Sequence, residues 1–324
     1  MISNSADSVS AGVESVDPEI LEGEVLIKIE WAGVNFKDSM VTQPGNRVAR
    51  RSPLIGGVDL AGTVIESPEH SIPAGSKVLA HGHDIGVAHH GGFAEFARVP
   101  LDWVVPLAEG FTTKAAMTYG TAGFTAMASI EALERSGLTP DRGPILVTGA
   151  NGGVGSTAIA LLADLGYDVV ASTGRTEEQE FLKSLGANEV IGRDEIDDGS
   201  SRSLGSAKWA GAIDCVGGAT LARIVRSLHY GAAVAASGLT GGTEFTSSVF
   251  PFIVRGVSLL GIDSVETPSP LRIDVWNRLA AMPTTDRIGE IVEREVALED
   301  LPGVLATISS GHVRGRILVS PTAP

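Results

Sequence analysis

Cysteine is nearly absent from this chain. Cys215 stands alone among 324 residues, which excludes an internal disulfide and a four-cysteine zinc lobe. Long hydrophobic runs are missing as well. No uncharged apolar stretch reaches the roughly 18 residues of a membrane span. Basic residues are scarce, 24 Lys and Arg against 39 Asp and Glu, for a net charge of −15. That balance argues against nucleic acid or an anionic membrane surface as a partner. An anionic ligand must therefore be met by basic residues gathered locally. The opening MISNSADSVSAGVESVDPE is polar and acidic, without the basic-then-apolar layout of a secretory leader. The expectation is a cytoplasmic protein.

What is present points to a glycine-rich α/β protein: 43% hydrophobic residues and 40 glycines, in a chain long enough for two cores. The organising stretch is Ile145–Leu165, ILVTGANGGVGSTAIALLADL. A short apolar run breaks into a turn holding Asn151, Gly152, Gly153, Val154 and Gly155, and a helical pattern then begins. Gly153–Ala158 fits G-x-G-x-x-A, in which Gly153 makes the tight turn and Gly155 lets the backbone approach a pyrophosphate. Phosphate would sit on the free N–H groups of the helix start. The next strand, Asp168–Ala171, runs into Ser172, Thr173, Gly174 and Arg175, where an NAD site usually has a carboxylate. A guanidinium grips a 2′-phosphate that a carboxylate would repel. These residues predict NADP(H). Read plainly, Arg175 is a solvated residue near the next helix.

The first hundred residues read as short strands with glycine turns: Glu24–Trp31, a second strand through Val64-Ile65 led into by Pro53–Thr63, Ser76–Ala80, Phe93–Val99 and Trp103–Pro106, after a weak first strand at Ala11–Val16. That pattern suggests a small barrel. Thr112–Leu133 switches to helical spacing, and strands and helices alternate from Ile145 to Ser264, as in a doubly wound parallel sheet. Thr176–Gln179 reads as a capping box. Residues 270–324 return to mixed short elements. The predicted division is 1–115 and 265–324 for the barrel, and 116–264 for the nucleotide domain.

With those stretches read, the sequence resembles the medium-chain dehydrogenase/reductase superfamily over nearly its whole length. Within it, the match is to the zinc-independent quinone-oxidoreductase-like group and its acryloyl-CoA reductases. The resemblance is carried by Asn35-Phe36-Lys37-Asp38, Gly57–Gly62, Gly120–Ala126, Val147–Ser156, Gly174-Arg175, Leu182–Ala187, Trp209–Val216, Ala235–Gly242, Val249–Arg255 and Gly261–Thr267. It implies a GroES-like β-barrel plus a Rossmann domain, NADPH, and reduction of an activated carbon–carbon double bond. It also implies Asn35, Lys37, Asp38 and Thr121 at the reacting end. Phe36, Thr125, Arg193, Leu239, Ile253 and Ser264 would join the glycine turn at the cofactor, and His89 would lie at the substrate. The family has Tyr where this chain has Phe36, which can only pack. Family members commonly join their Rossmann domains through the last strand, here Val257–Asp263, so a homodimer is expected.

The chemistry follows from what is missing around Asn35, Asp38 and Asp59: no thiolate and no His/Glu pair stands there for a catalytic zinc. A rival metal reading uses His81, His83, His89 and His90; the plainer one is a polar rim of a cleft. Without metal, hydride must go to an already electron-poor carbon, such as the β-carbon of an unsaturated thioester or ketone. Asn35 could then bond the carbonyl or the nicotinamide ribose, with Lys37 and Asp38 as an ion pair orienting the loop. Tyr119 is a candidate proton source beside water, and Cys215 reads as a small core residue. Arg47, Arg50 and Arg51 gather positive charge on an acidic chain, as coenzyme A phosphates would require; they are equally readable as a solvated loop. Three readings stay open: an acyl-CoA reductase, a quinone or enone reductase, and a nucleotide-binding sensor without turnover.

Overall fold

Val25, Ile27 and Ile29 alternate along one stretch and are fully buried, the seed of the first sheet. The computed structural model describes residues 1–4, 8–68, 72–283, 286–309, 311 and 313–321. They form one unit of Met1–Ala122, Ser264–Ala280 and Val292–Pro324, and a second of Gly123–Asp263 and Ala281–Ile291.

The first unit starts with a hairpin of β1 (Ile2–Asn4) and β2 (Val9–Ala11). The strand expected at Ala11–Val16 is thus displaced. Pairing ends at Ala11, and residues 12–15 are exposed without any polar–apolar contrast to hold them on a sheet. Then come β3 (Val25–Val34), α1 (Phe36–Val41), β4 (Asp59–Glu66), β5 (Lys77–His81), β6 (Phe96–Val99) and β7 (Val104–Pro106). β4 pairs along β3, β5 pairs with β4 and β7 with β5, all antiparallel. β6 takes the Val25–Lys28 end of β3. Val25, Ile27, Ile29, Leu60, Val64 and Val78 fill the space these strands enclose. The chain leaves this unit within α2 (Thr113–Arg135), whose helical path breaks at Gly120, φ 53° and ψ −157°. Glycine reaches that conformation at little cost.

The second unit is built on six parallel strands: β8 (Ile145–Thr148), β9 (Val169–Ser172), β10 (Glu189–Ile191), β11 (Gly211–Asp214), β12 (Ala233–Ala236) and β13 (Ser258–Gly261). Their order is β10-β9-β8-β11-β12-β13, so the direction of winding switches between β8 and β11. All residues of β8, β9 and β11 are buried, as strands covered on both faces must be. The helices are α3 (Gly153–Asp164), α4 (Gln179–Ser184), α5 (Gly218–Ser227) and α6 (Phe250–Arg255). At the expected capping box, Thr176–Glu178 forms a 3-10 turn ahead of α4, and the Thr176 side chain lies outside the described residues.

Next in the chain are α7 (Ser269–Ala280), α8 (Asp286–Glu290), β14 (Val292–Val296), α9 (Leu301–Ser309) and β15 (Arg316–Val319). β15 pairs with Ala32–Val34, the end of β3 that β6 leaves free, and β14 pairs with β15. α9 packs Leu301, Val304, Leu305 and Ile308 onto Ala32, Val34, Ile317 and Val319. α8 departs from the division expected from sequence. Arg287 pairs with Asp164, and Ser184 donates to Glu290 at 2.6 Å, which ties 281–291 to the parallel-sheet unit. No helix among the described residues is long and apolar enough to cross a membrane.

Candidate active site

In the second unit the turn after β8 is shaped by Gly149, at φ +60°, and Gly152 caps α3. A Cβ on Gly155 would lie 2.8 Å from the Ala150 Cα and closer still to the Gly149 carbonyl. This reassigns the glycines. Gly149, not Gly153, makes the tight turn, and Gly155 serves the close packing of helix on turn. The reason is that α3 already begins at Gly153, so Gly153, Val154 and Gly155 are its first turn. No side chain caps that turn, which leaves N–H groups pointing outward at the positive end of a 12-residue helix. Asn151 is buried; its Oδ1 accepts the Thr173 hydroxyl, and its Nδ2 is buried without a partner among the described residues. A buried donor left unmatched is costly unless a ligand accepts from it.

The other end of this cradle lies at the tip of β9. Ser172 and Thr173 are buried, and the Thr173 hydroxyl accepts the Arg175 N–H at 3.0 Å. A Cβ on Gly174 would sit 2.7 Å from Cζ and Nε of Arg193, so that guanidinium lies against the glycine backbone. Arg193 and the half-buried Arg175 therefore flank Gly174. Arg193 is paired with no acidic side chain among the described residues. Thr125 is buried on α2, while Leu239 and Ile253 are 51% and 71% exposed, and Ser264 is half-buried just past β13. Cys215 follows β11. Burial, with Asp214 beside it, pushes its thiol up to about 12, which makes it a poor nucleophile.

In the first unit a buried polar cluster gathers the ends of five segments. Asp59 opens β4 and is fully buried; its Oδ1 accepts from Gly33 N at 2.8 Å, and its Oδ2 from Asn35 Nδ2 and Thr121 N, both at 2.8 Å. Arg316, at the start of β15, lies 3.6 Å from Asp59 and donates to Asn35 Oδ1 at 2.8 Å and to Val34 O at 3.1 Å. Asn35 is thus engaged inside the protein at both ends of its amide, rather than offered whole to a carbonyl or ribose. Burial pulls Arg316 below the usual guanidinium value, opposed by Asp59 and Asp38.

The expected Lys37–Asp38 ion pair does not form. Asp38 is the N3 residue of α1 and turns inward, accepting from Asn35 N at 2.8 Å and Val58 N at 3.0 Å. Lys37 stays half-exposed. Burial, then the nearby Asp59, pushes the Asp38 carboxyl up from 3.8 to about 7. Its protonated form is the one the fold favours, so its contribution to stability is full below about pH 4. That contribution falls as pH climbs and is gone above about 7. Thermal melts from pH 4 to 8 should show this loss, and Asp38→Asn should flatten the slope; an unchanged slope would refute the assignment.

The histidine loop differs most from expectation. His81 and His90 are buried rather than lining a rim. His81 accepts from Arg272 Nη1 and Trp276 Nε1, both at 2.9 Å, and burial followed by Arg272 drives its pKa well below the ordinary value. His90 Nδ1 accepts from Ile55 N at 3.0 Å. His83 stacks on Trp103 with ring centroids 4.9 Å apart. His89 places both ring nitrogens 2.8 Å from backbone carbonyls, those of His90 and Glu22, so its polar atoms are spent on the backbone of its own loop and of the N-terminal segment. Of the three arginines, Arg50 pairs with Asp84 and Arg51 with Glu22 at 3.1 Å, while Arg47 is exposed with no ion pair among the described residues. Phe36 opens α1 and is 44% exposed. Tyr119 is buried with its ring 6.1 Å from that of Phe111. Sequence reasoning missed Arg316 and the partnership of Asp59. The one local signal was a charged residue set directly against an apolar strand, Arg316 before Ile317-Leu318-Val319.

A largely antiparallel sheet in one unit and, in the other, a parallel sheet with a glycine cradle at its switch point define a dinucleotide-binding oxidoreductase architecture. Residues 21–109 match the family model described as alcohol dehydrogenase GroES-like domain, and residues 153–280 the one described as zinc-binding dehydrogenase. The chain belongs to the medium-chain dehydrogenase/reductase superfamily. It is 49% identical to the acrylyl-CoA reductase AcuI of Ruegeria pomeroyi, over 93% of this chain and 91% of that protein. The structure of Escherichia coli K-12 YhdH with bound NADPH is similar at a TM-score of 0.94 and 43% identity, covering 98% of each chain. That of Bacillus subtilis YhfP with NAD bound is similar at 0.96 and 46%, covering 98% of this chain and 97% of that one.

The zinc of that family description needs deprotonated donors converging at tetrahedral spacing. Among the described residues no three His, Cys, Asp or Glu converge in that way. The nearest donors are committed elsewhere: Asp59 to three N–H groups, Asn35 to Asp59 and Arg316, and His81 to Arg272 and Trp276. A guanidinium is the cation lodged beside Asp59. The residues present do not fit a metal.

Proposed function

We propose that this chain reduces the carbon–carbon double bond of a short α,β-unsaturated acyl-CoA with NADPH, converting acryloyl-CoA to propanoyl-CoA. The observation that carries the reading is the tip of β9, where the Arg193 guanidinium lies against Gly174 and Ser172, Thr173 and Arg175 adjoin that glycine. Two guanidiniums there suit a 2′-phosphate. The Asn151 Nδ2 donor and the uncapped first turn of α3 suit the rest of the dinucleotide. The 49% identity to an acrylyl-CoA reductase supports the acyl-CoA half. The same reading places the protein in the cytoplasm, where NADPH is regenerated.

When bound, the dihydronicotinamide supplies a hydride. Phe36 and Ser264 of the first unit would offer the cofactor an apolar face and a hydroxyl, and Thr125, Leu239 and Ile253 of the second unit would hold it on their own side. Asn35 and the Thr121 turn, their polar groups held by Asp59 and Arg316, would form a fixed wall for the acyl group, and the Lys37 ammonium would add positive potential where enolate charge develops. Asp38 keeps the turn between β3 and α1 in register. Phe36 and the buried Tyr119 leave water as the proton source. The balance is acryloyl-CoA, NADPH and one proton giving propanoyl-CoA and NADP⁺, with hydride at the β-carbon and the proton at the α-carbon. Arg47 is the arginine best placed for coenzyme A phosphates. Arg50 and Arg51 contribute less, because Asp84 and Glu22 already compensate them.

That compensation is also the one observation favouring a quinone or enone substrate. Following NADPH oxidation with acryloyl-CoA, crotonyl-CoA and a benzoquinone separates the readings. Preference for acryloyl-CoA is expected. Preference for the quinone would transfer the assignment, and tight NADPH binding without turnover would leave a nucleotide sensor.

The partner chain in this reading is a second copy. β13 is an edge strand, and Phe250, Ile253, Val254 and Leu259 beside it are 48%, 71%, 51% and 37% exposed. A bare apolar edge invites strand pairing, and a two-fold axis satisfies both edges with one patch. Ser258 and Ile262 donate inward to β12, so by alternation the Leu259 N–H faces outward. Leu259→Pro should therefore keep the fold and yield monomer by light scattering. A folded variant that still dimerises would place the interface elsewhere.

A further inference from the structure

The Asp59–Arg316 pair is buried on both sides, at 0% and 2% exposure. Two glycines make room for it. A Cβ on Gly33 would lie 2.7 Å from Asp59 Oδ1, one on Gly120 would lie 2.7 Å from Asp59 Oδ2, and both would be closer still to Arg316 Nη2. Burying two charges costs desolvation on each, so an apolar pair of similar volume would serve stability as well or better. What an apolar pair could not do is set polar groups in one orientation.

The polar groups it sets are those placed at the reacting end. The Asn35 amide has an acceptor-only carboxylate at its nitrogen and a donor-only guanidinium at its oxygen, both at 2.8 Å. Turning the amide over would oppose oxygen to carboxylate and N–H to guanidinium, so a single rotamer survives. The Thr121 N–H, released where α2 breaks at Gly120, is captured by Asp59 at 2.8 Å. Arg316 also accepts no slack on the far side of α2's break, donating to Thr118 O at 3.3 Å.

We propose that Asp59 and Arg316 are the positioning pair of the reductase centre: they hold Asn35 and the Thr121 turn in register and neither touches substrate nor passes a proton. This rests on the reductase reading above and adds to it the residues that orient the acyl group. Arg316→Lys keeps the charge but loses the planar fork, and Asp59→Asn keeps the volume but turns one acceptor into a donor. Each is expected to fold, to bind NADPH within about twofold of wild type, and to lose about 100-fold in kcat for acryloyl-CoA, the usual cost of a misplaced reacting group. The pH profile of kcat should keep its shape. A kcat within about threefold of wild type in both variants would overturn the proposal, and so would a new ionisation in the profile, which would make one of them a proton carrier. A readout without turnover guards against failure of the reductase reading itself. In protein labelled with ¹⁵N at asparagine, the Asn35 side-chain amide, assigned by its loss in Asn35→Asp, should exchange slowly with solvent in wild type and fast in Arg316→Lys. Fast exchange in wild type would overturn the proposal whatever the substrate, and this measurement also decides if either variant fails to fold.

Discussion

Replacing Arg175 and Arg193 together by alanine is expected to raise the KM for NADPH by about 100-fold or more and to leave that for NADH within about twofold. In the proposed reading each guanidinium would form a charge-assisted bond worth roughly 1.5–3 kcal/mol to the 2′-phosphate. The pair flanks Gly174, against which Arg193 is already packed. NADH has no 2′-phosphate, so it loses only general attraction. Steady-state kinetics with both cofactors decide the matter, and an equal rise for the two would overturn NADPH specificity. The similar YhfP structure carries NAD and the similar YhdH structure carries NADPH, so the double variant tests whether the residues at the tip of β9 decide between the two cofactors.

Gly155→Val is the second large effect. Even the first carbon of the new side chain would sit 2.8 Å from a backbone atom, Ala150 Cα, which cannot swing aside as a flexible side chain could. A branched side chain worsens the overlap, and overpacking of this kind forces the backbone to shift. The turn between β8 and α3 would open and the cradle would be lost. NADPH affinity should drop by more than about 100-fold, or the Tm should fall steeply. Gly152→Ala is the control for stability, since its Cβ would meet only the Gly149 oxygen at an ordinary 3.4 Å and should leave Tm nearly unchanged. Equal behaviour of the two variants would mean that Gly155 is not a packing glycine.

The parallel sheet, its order of strands and helices, and the exposed last strand could all be read from local pattern. Apolar runs such as Ile145-Leu146-Val147, separated by glycine turns, are short-range signals. Which glycine makes the turn was not readable at that level. Gly149 and Gly153 are chemically alike, and only the position at which α3 begins tells them apart. The buried cluster was hidden for a different reason. Asp59 and Arg316 each look like a single charge beside an apolar strand, and their pairing is made by β3, to which β4 and β15 both bond. The histidine loop misled in the same way. His81 takes its partners Arg272 and Trp276 from α7, far along the chain, so neighbouring residues gave no hint that it is buried and neutral. Lys37 and Asp38 are adjacent in sequence and yet part company, because α1 turns one inward to cap its own first turn.

The most direct test of the central claim follows one atom. Wild-type enzyme is incubated with acryloyl-CoA and NADPH carrying deuterium at C4 of the nicotinamide, each C4 epimer in turn, and the product is read by mass spectrometry and NMR. A single epimer should deliver its deuterium to C3 of propanoyl-CoA, while C2 acquires a proton from solvent. Propanoyl-CoA free of deuterium from both epimers, or no propanoyl-CoA at all, would contradict the account.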